Sequence, residues 1–216
     1  MLTRFAPRRD DRGFTLTELL VAIVLLGIIV GPLASGLITF MRNIDKTTGR
    51  LSESHDLQIA AAYFAQDVES LGVRKWTDTT FPLLQSVETN APASGGVSGR
   101  ACGGAGTPNA VVRLAWDDPT SASVTPPPIV RAAYIVTTVG TEKQLRRIVC
   151  VGASTTPVSN IVLVHNLVDA GPADCTPVAC ANYPDIPQKI TLRLVIKNEA
   201  STATYEHILI GQRRQT

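Results

Sequence analysis

Polar and apolar positions divide this chain into three textures. From Leu19 to Met41 there is an apolar run of about 23 residues without a charge, long enough for a helix across a hydrocarbon core of about 30 Å. From Asn43 to Leu71 the run becomes amphipathic. Leu57, Ala61, Phe64, Val68 and Leu71 recur at three- or four-residue spacing and predict one apolar helix stripe, with Asp56, Asp67 and Glu69 facing elsewhere. Gly72 is the predicted stop. A helix from Thr15 to Leu71 would be about 85 Å long at about 1.5 Å per residue, with Gly49 its weak point. From Ala110 onward the texture is that of strands: Ala110–Trp116, Ile129–Val139, Gln144–Val151, Ile161–Val168, Lys189–Lys197 and Thr204–Ile210 are alternating or β-branched. Leu192, Leu194 and Ile196 alternate with Thr191, Arg193 and Lys197, as in a half-buried antiparallel strand.

Turn chemistry marks the joints. Val73–Asn109 carries Pro82, Pro92, Pro108 and a Gly/Ser run at 93–99, and reads as a surface connection with room for a short strand near Phe81–Val87. Gly140 and the 198–202 segment predict hairpin turns. Pro126-Pro127-Pro128 and Gly171–Pro187 separate other strands. One long helix, a connection and a set of strands predict an α+β fold, the helix stripe covering an antiparallel sheet. The expected segments are a basic leader (1–13), a membrane-spanning helix (14–41), its amphipathic continuation (42–72), a Gly/Ser/Pro-rich connection (73–109) and a sheet domain (110–216).

Charge sharpens the N-terminal picture. The net charge is +2, and residues 1–13 supply it with four arginines against two aspartates. The remainder is balanced, which favours association over repulsion and offers no basic face for nucleic acid. Within the apolar run, Gly27, Gly31 and Ser35 recur every four residues, a spacing that lets another helix backbone approach closely. Pro32 lacks an N–H and predicts a bend or loosening after Gly31. Glu18 is a lone carboxylate at the mouth of the run. There it either sits at headgroup level or caps the positive end of the helix.

No catalytic pattern stands out. The Gly96-Val97-Ser98-Gly99 stretch is not a nucleophile elbow, and no phosphate-binding glycine loop occurs. His55, His165 and His207 lack metal-ligand spacing, and Asp117-Asp118 before Pro119 reads as a turn. Arg213-Arg214 reads as a solvated tail. No enzyme activity, cofactor or metal is expected. Cys102, Cys150, Cys175 and Cys180 form no C-x2-C pair. An even count beyond a membrane segment favours two disulfides in an oxidising compartment over buried thiols. Three connectivities are open; Cys102–Cys150 with Cys175–Cys180 is preferred.

Gly13-Phe14-Thr15-Leu16-Thr17-Glu18, after Arg12 and before the apolar run, closely resembles the prepilin processing motif of type IV pilins and type II secretion pseudopilins. The resemblance implies a prepilin peptidase that cuts between Gly13 and Phe14 and N-methylates Phe14. It also implies that Glu18 pairs with the α-amino group of a neighbouring subunit's Phe14. Partners would be other pilin or pseudopilin subunits and the inner (cytoplasmic) membrane, with the C-terminal domain outside the cytoplasm. Tyr63–Gly72 resembles the end of the helix in large minor pilins, and Ala133–Val136, Gln144–Arg147 and Val162–Leu167 follow in an order that resembles J-type minor pseudopilins and their type IV pilus counterparts. The runner-up is an extracellular binding or adhesion module with an ordinary signal peptide cut near Ala34–Gly36.

Overall fold

The computed structural model describes residues 15–80, 82–97, 99–121, 123–181, 185–198 and 203–214, apart from the side chains of Asp45 and Lys46. One helix, α1, spans Leu16–Glu69 and is continuous through Pro32 and Gly49. The chain divides into two compact units, residues 1–47 and 48–216.

In the first unit α1 carries a membrane-length apolar stretch, none of which is buried within the chain. The second unit is an α+β domain built on the last turns of α1. The strands are β1 Val73–Arg74, β2 Leu83–Leu84, β3 Val87–Ala91, β4 Ala110–Asp117, β5 Ile129–Val139, β6 Glu142–Val151, β7 Ser159–Val164, β8 Leu167–Thr176, β9 Lys189–Lys197 and β10 Thr204–Gln212. A five-stranded antiparallel sheet has the order β3-β4-β5-β6-β7, and a three-stranded one the order β10-β9-β8; β1 and β2 form a short pair. Each sheet follows chain order, as short connections between antiparallel neighbours require.

The core joins the helix stripe to both sheets. Leu57, Ala60, Phe64, Val68 and Leu71 cluster with Val112, Leu114, Tyr134 and Leu145 of the larger sheet and with Ile190, Leu192, Leu194, Ile196 and Leu209 of the smaller one. Phe64 meets the Tyr134 ring edge-on, with centroids 5.4 Å apart. Gly211 lies so close to Val68 that a Cβ there would overlap it, which lets β10 and α1 approach. On the opposite face of the five-stranded sheet a smaller cluster gathers Ala91, Ala110, Ala133, Ile135 and Ile148 around Cys102 and Cys150. The two disulfides are Cys102–Cys150 and Cys175–Cys180, and no cysteine is free.

Several boundaries differ from the sequence reading, each for a physical reason. The 73–109 segment is more than a connection, because Val87–Ala91 forms the edge strand β3. Val87 and Ala91 are buried, and Glu88 is drawn inward by its register partner Arg113 on β4. The predicted Ile161–Val168 strand is two strands in different sheets. The chain turns at His165-Asn166, where Asn166 takes a φ of 53°. Gly171-Pro172 does not separate strands: β8 passes through it, with a register shift between Ala170 and Ala173 that accommodates the missing proline donor. The helix ends at Glu69. Gly72, at φ 143°, bridges to Trp116 instead of continuing the helix cap. Ala60, rather than Ala61, is the fully buried member of the stripe. Gly140 does turn the β5–β6 hairpin, with Val139 opposite Glu142. Residues 199–202 of the other expected turn lie outside the described residues.

Candidate functional site

The motif region begins with the first turn of α1. Thr15, Leu16, Thr17 and Glu18 make a reciprocal cap. The Glu18 N–H donates to Thr15 Oγ1 at 3.3 Å, while Glu18 Oε2 accepts from the Thr15 N–H at 3.2 Å and from its hydroxyl at 3.0 Å. The carboxylate thereby satisfies orphan donors at the positive end of the helix, where a negative charge is favoured. Gly13 and Phe14, the predicted processing residues, lie outside the described residues.

Beyond this cap, the large apolar side chains from Leu19 to Met41 are 51–66% exposed. A Cβ added at Gly27 or Gly31 would meet nothing within 4 Å, so the small-residue face has open space beside it within this chain. Pro32 sits inside the helix, and Ser35 Oγ donates to the Pro32 carbonyl at 2.9 Å. Thr39 bonds back to Ser35, and Thr47 to Asn43. Hydroxyls that bond back into the helix hide their polar groups from an apolar surround.

In the second unit the most consequential polar group is one that periodicity assigned to the outer face. Asp67 is 1% exposed. Its Oδ2 accepts from the Tyr134 hydroxyl and from Arg147 Nε, both at 2.7 Å, and its Oδ1 accepts from Arg147 Nη2 at 2.6 Å. This is a bidentate, charge-assisted pair. Arg147 also stacks over the Tyr63 ring, 4.9 Å from its centroid. Burial, and then the Asp67 charge, push the Tyr134 hydroxyl well above its ordinary pKa. For Arg147, burial alone would lower the pKa, but hydrogen bonds to Asp67 and its charge outweigh that and raise it. The network pins α1 to β5 and β6.

A second buried pair fixes the Gly/Ser-rich segment. Arg113 donates to Glu88 Oε2 from Nε at 2.9 Å and from Nη2 at 2.7 Å, and its remaining donors reach the Pro92 and Gly95 carbonyls. Glu88 accepts the Val97 N–H in return. Gly96 (φ 96°) passes so close to Glu88 and Arg113 that a side chain would collide with both. Arg131 holds the Gly99 and Ser154 carbonyls, and Cys102–Cys150 staples the segment to β6. Cys175–Cys180 closes a short loop after β8.

The histidines stay apart: His165 pairs with Asp56 at 2.7 Å, while His207 lies on β10. Among the described residues no group of three or more His, Cys, Asp or Glu side chains is placed to hold a metal. Asp118 is a turn residue whose carboxylate accepts from Thr120 and Ser121, and those bonds lower its pKa. Arg213 and Arg214 are not a free tail. The Arg213 N–H donates to the Gln188 carbonyl, and Arg214 pairs with Glu69 at 2.6 Å.

Residues 8–34 match the family model described as the prokaryotic N-terminal methylation motif. No curated protein and no solved structure matches the chain.

Proposed function

We propose that this chain is a minor pilin or pseudopilin, a structural subunit of a type IV pilus or a type II secretion pseudopilus. The methylation motif at residues 8–34 carries the reading. The motif leads into a capped helix whose apolar side chains from Leu19 to Met41 find no cover within their own chain. Before assembly the helix spans the inner membrane, with residues 48–216 outside the cytoplasm. A prepilin peptidase hydrolyses the Gly13–Phe14 peptide bond and methylates the freed amine. In the filament that amine pairs with Glu18 of a neighbouring subunit.

The energetics fit such a role. A carboxylate packed among apolar helices requires a cation, because stranding one member of a buried pair costs about 3–5 kcal/mol. The cap bonds from Thr15 hold Glu18 until that partner arrives. Gly27, Gly31 and Ser35 offer a close-packing face for the neighbouring helix. The J-type resemblance of the strand region, and the length of the chain, favour a minor subunit near the filament tip that helps start assembly.

The test is Glu18→Val in the native host. The variant is expected to be processed and membrane-bound, yet missing from sheared filaments. Incorporation at the wild-type level would remove the charge pair from the account.

A further inference from the structure

At the C-terminal end of α1 the second unit contains a cavity of about 640 Å³, within the size range of ligand sites. Four stretches wall it: Glu69 at the end of α1, Arg74 of β1, Trp116 and Asp117 at the end of β4, and Arg213 and Arg214 after β10. Backbone bonds lock these stretches together. The Gly72 N–H donates to the Ala115 carbonyl, the Asp117 N–H to the Gly72 carbonyl, and the Arg214 N–H to the Glu69 carbonyl. The cavity is thus preformed.

Two of the lining residues each carry a side-chain atom that is buried and lacks a partner among the described residues, Asp117 Oδ1 and Arg213 Nε. The other Asp117 oxygen is engaged, accepting from the Arg74 N–H at 3.1 Å and Trp76 Nε1 at 3.2 Å. Buried polar groups in folded proteins are nearly always paired, and exceptions call for an explanation. Here one atom is an acceptor and the other a donor, in residues lining one cavity. A complementary ligand brings an N–H for the first and an oxygen for the second. Three arginines face two carboxylates, and Glu69 is already occupied by Arg214. The excess charge is positive, so the ligand's oxygen belongs to an anion. A phosphodiester group has oxygens for Arg213 but no N–H or O–H to donate to Asp117. A polypeptide supplies both groups.

We propose that this cavity is a docking site for an acidic, extended peptide segment of another protein. A carboxylate of that segment binds Arg213 and Arg74, and one of its main-chain N–H groups donates to Asp117. Burial raises the Asp117 pKa, as expected of a carboxylate not yet fully paired. Every residue involved lies beyond α1's apolar run, so the inference stands or falls independently of leader processing.

The test uses the full chain in detergent micelles. A blocked pentapeptide of alternating glutamate and aspartate is titrated in, with pentalysine and hexathymidylate alongside. Binding is read by calorimetry and by tryptophan emission, since Trp76 and Trp116 are the chain's two tryptophans and both flank Asp117. The acidic peptide is expected to bind saturably, and pentalysine and hexathymidylate at least about tenfold more weakly. Arg213→Gln and Arg74→Gln should each weaken the acidic peptide by about tenfold, with an unchanged circular dichroism spectrum. Lys143→Gln, a remote surface cation, should leave affinity unchanged. The proposal is overturned if the acidic peptide does not bind, if Arg213→Gln binds it as tightly as the wild type, or if either control ligand binds equally well.

Discussion

Replacing Asp67 with alanine removes a buried carboxylate that ties α1 to β5 and β6. Three hydrogen bonds of 2.6–2.7 Å disappear, two of them from a guanidinium. The Tyr134 hydroxyl and Arg147, whose side chain is only 12% exposed, are left facing an empty acceptor position. Breaking a buried pair from one side costs about 3–5 kcal/mol. In a unit of this size each kcal/mol lowers Tm by about 2–4 °C, so a fall of about 6–20 °C is expected. Asp67→Asn keeps the volume and one acceptor but loses the charge, and should fall between alanine and wild type. A triple change, Asp67→Leu with Tyr134→Phe and Arg147→Met, removes every polar member and should recover much of the loss. The assay is urea unfolding of the oxidised full chain in detergent, followed by tryptophan emission. Two results would refute the reasoning. A loss under about 1 kcal/mol in Asp67→Ala would mean that water screens the pair as it does at a surface. A triple variant no more stable than Asp67→Ala would mean that shape, rather than unpaired charge, sets the cost.

Other consequences concern the disulfides and alkaline pH. Cys102–Cys150 spans 48 residues and Cys175–Cys180 spans 5. Loop-closure entropy gives about 4 and about 2 kcal/mol respectively, so Cys102→Ser with Cys150→Ser should cost the larger share in the same urea assay. That pair should also make the 92–101 segment the earliest site of protease cleavage. Burial, then the Glu53 charge, push Tyr205 up to about 12 from 10.0, and Tyr134 is also raised, by burial and Asp67. Both remain neutral in the fold while the unfolded chain ionises. The Tyr205 contribution is therefore complete below about pH 10 and lost as pH rises from about 10 through about 12, and the Tyr134 contribution falls in the same direction as the unfolded chain ionises. Tyr205→Phe should flatten part of that loss in urea unfolding measured across this range.

The α+β order was legible because it rests on local periodicity. The 3.6-residue stripe through Leu57, Phe64 and Val68, and the two-residue alternation through Leu192, Leu194 and Ile196, survive into the core unchanged. The cysteine pairing preferred from the sequence is the one formed, but ion pairing over distance was not legible. Asp67 looked solvent-facing because the groups that bury it, Tyr134 and Arg147, lie 67 and 80 residues away. β3 lay hidden in the Pro-, Gly- and Ser-rich 73–109 segment, where the partner that draws Glu88 inward, Arg113, is 25 residues on. Proline also misled: Pro172 reads as a strand breaker, yet a bulge in β8 absorbs it. At the N-terminus, Thr15-x-x-Glu18 is a capping pattern visible in the letters, but the membrane setting drew attention to the acid alone. A useful signal for the missed clamp was an acid beside Phe64 and Val68 in a chain that also carries Tyr134 and Arg147 on adjacent strands.

The central claim is that the N-terminal residues are a processing site and not an ordinary signal sequence. Mass spectrometry of the mature N-terminus, on the chain isolated from native membranes, tests it most directly. The account predicts a chain that begins at Phe14 with a methylated α-amino group. A mature chain beginning near Ser35 would contradict it and leave an exported module without the helix.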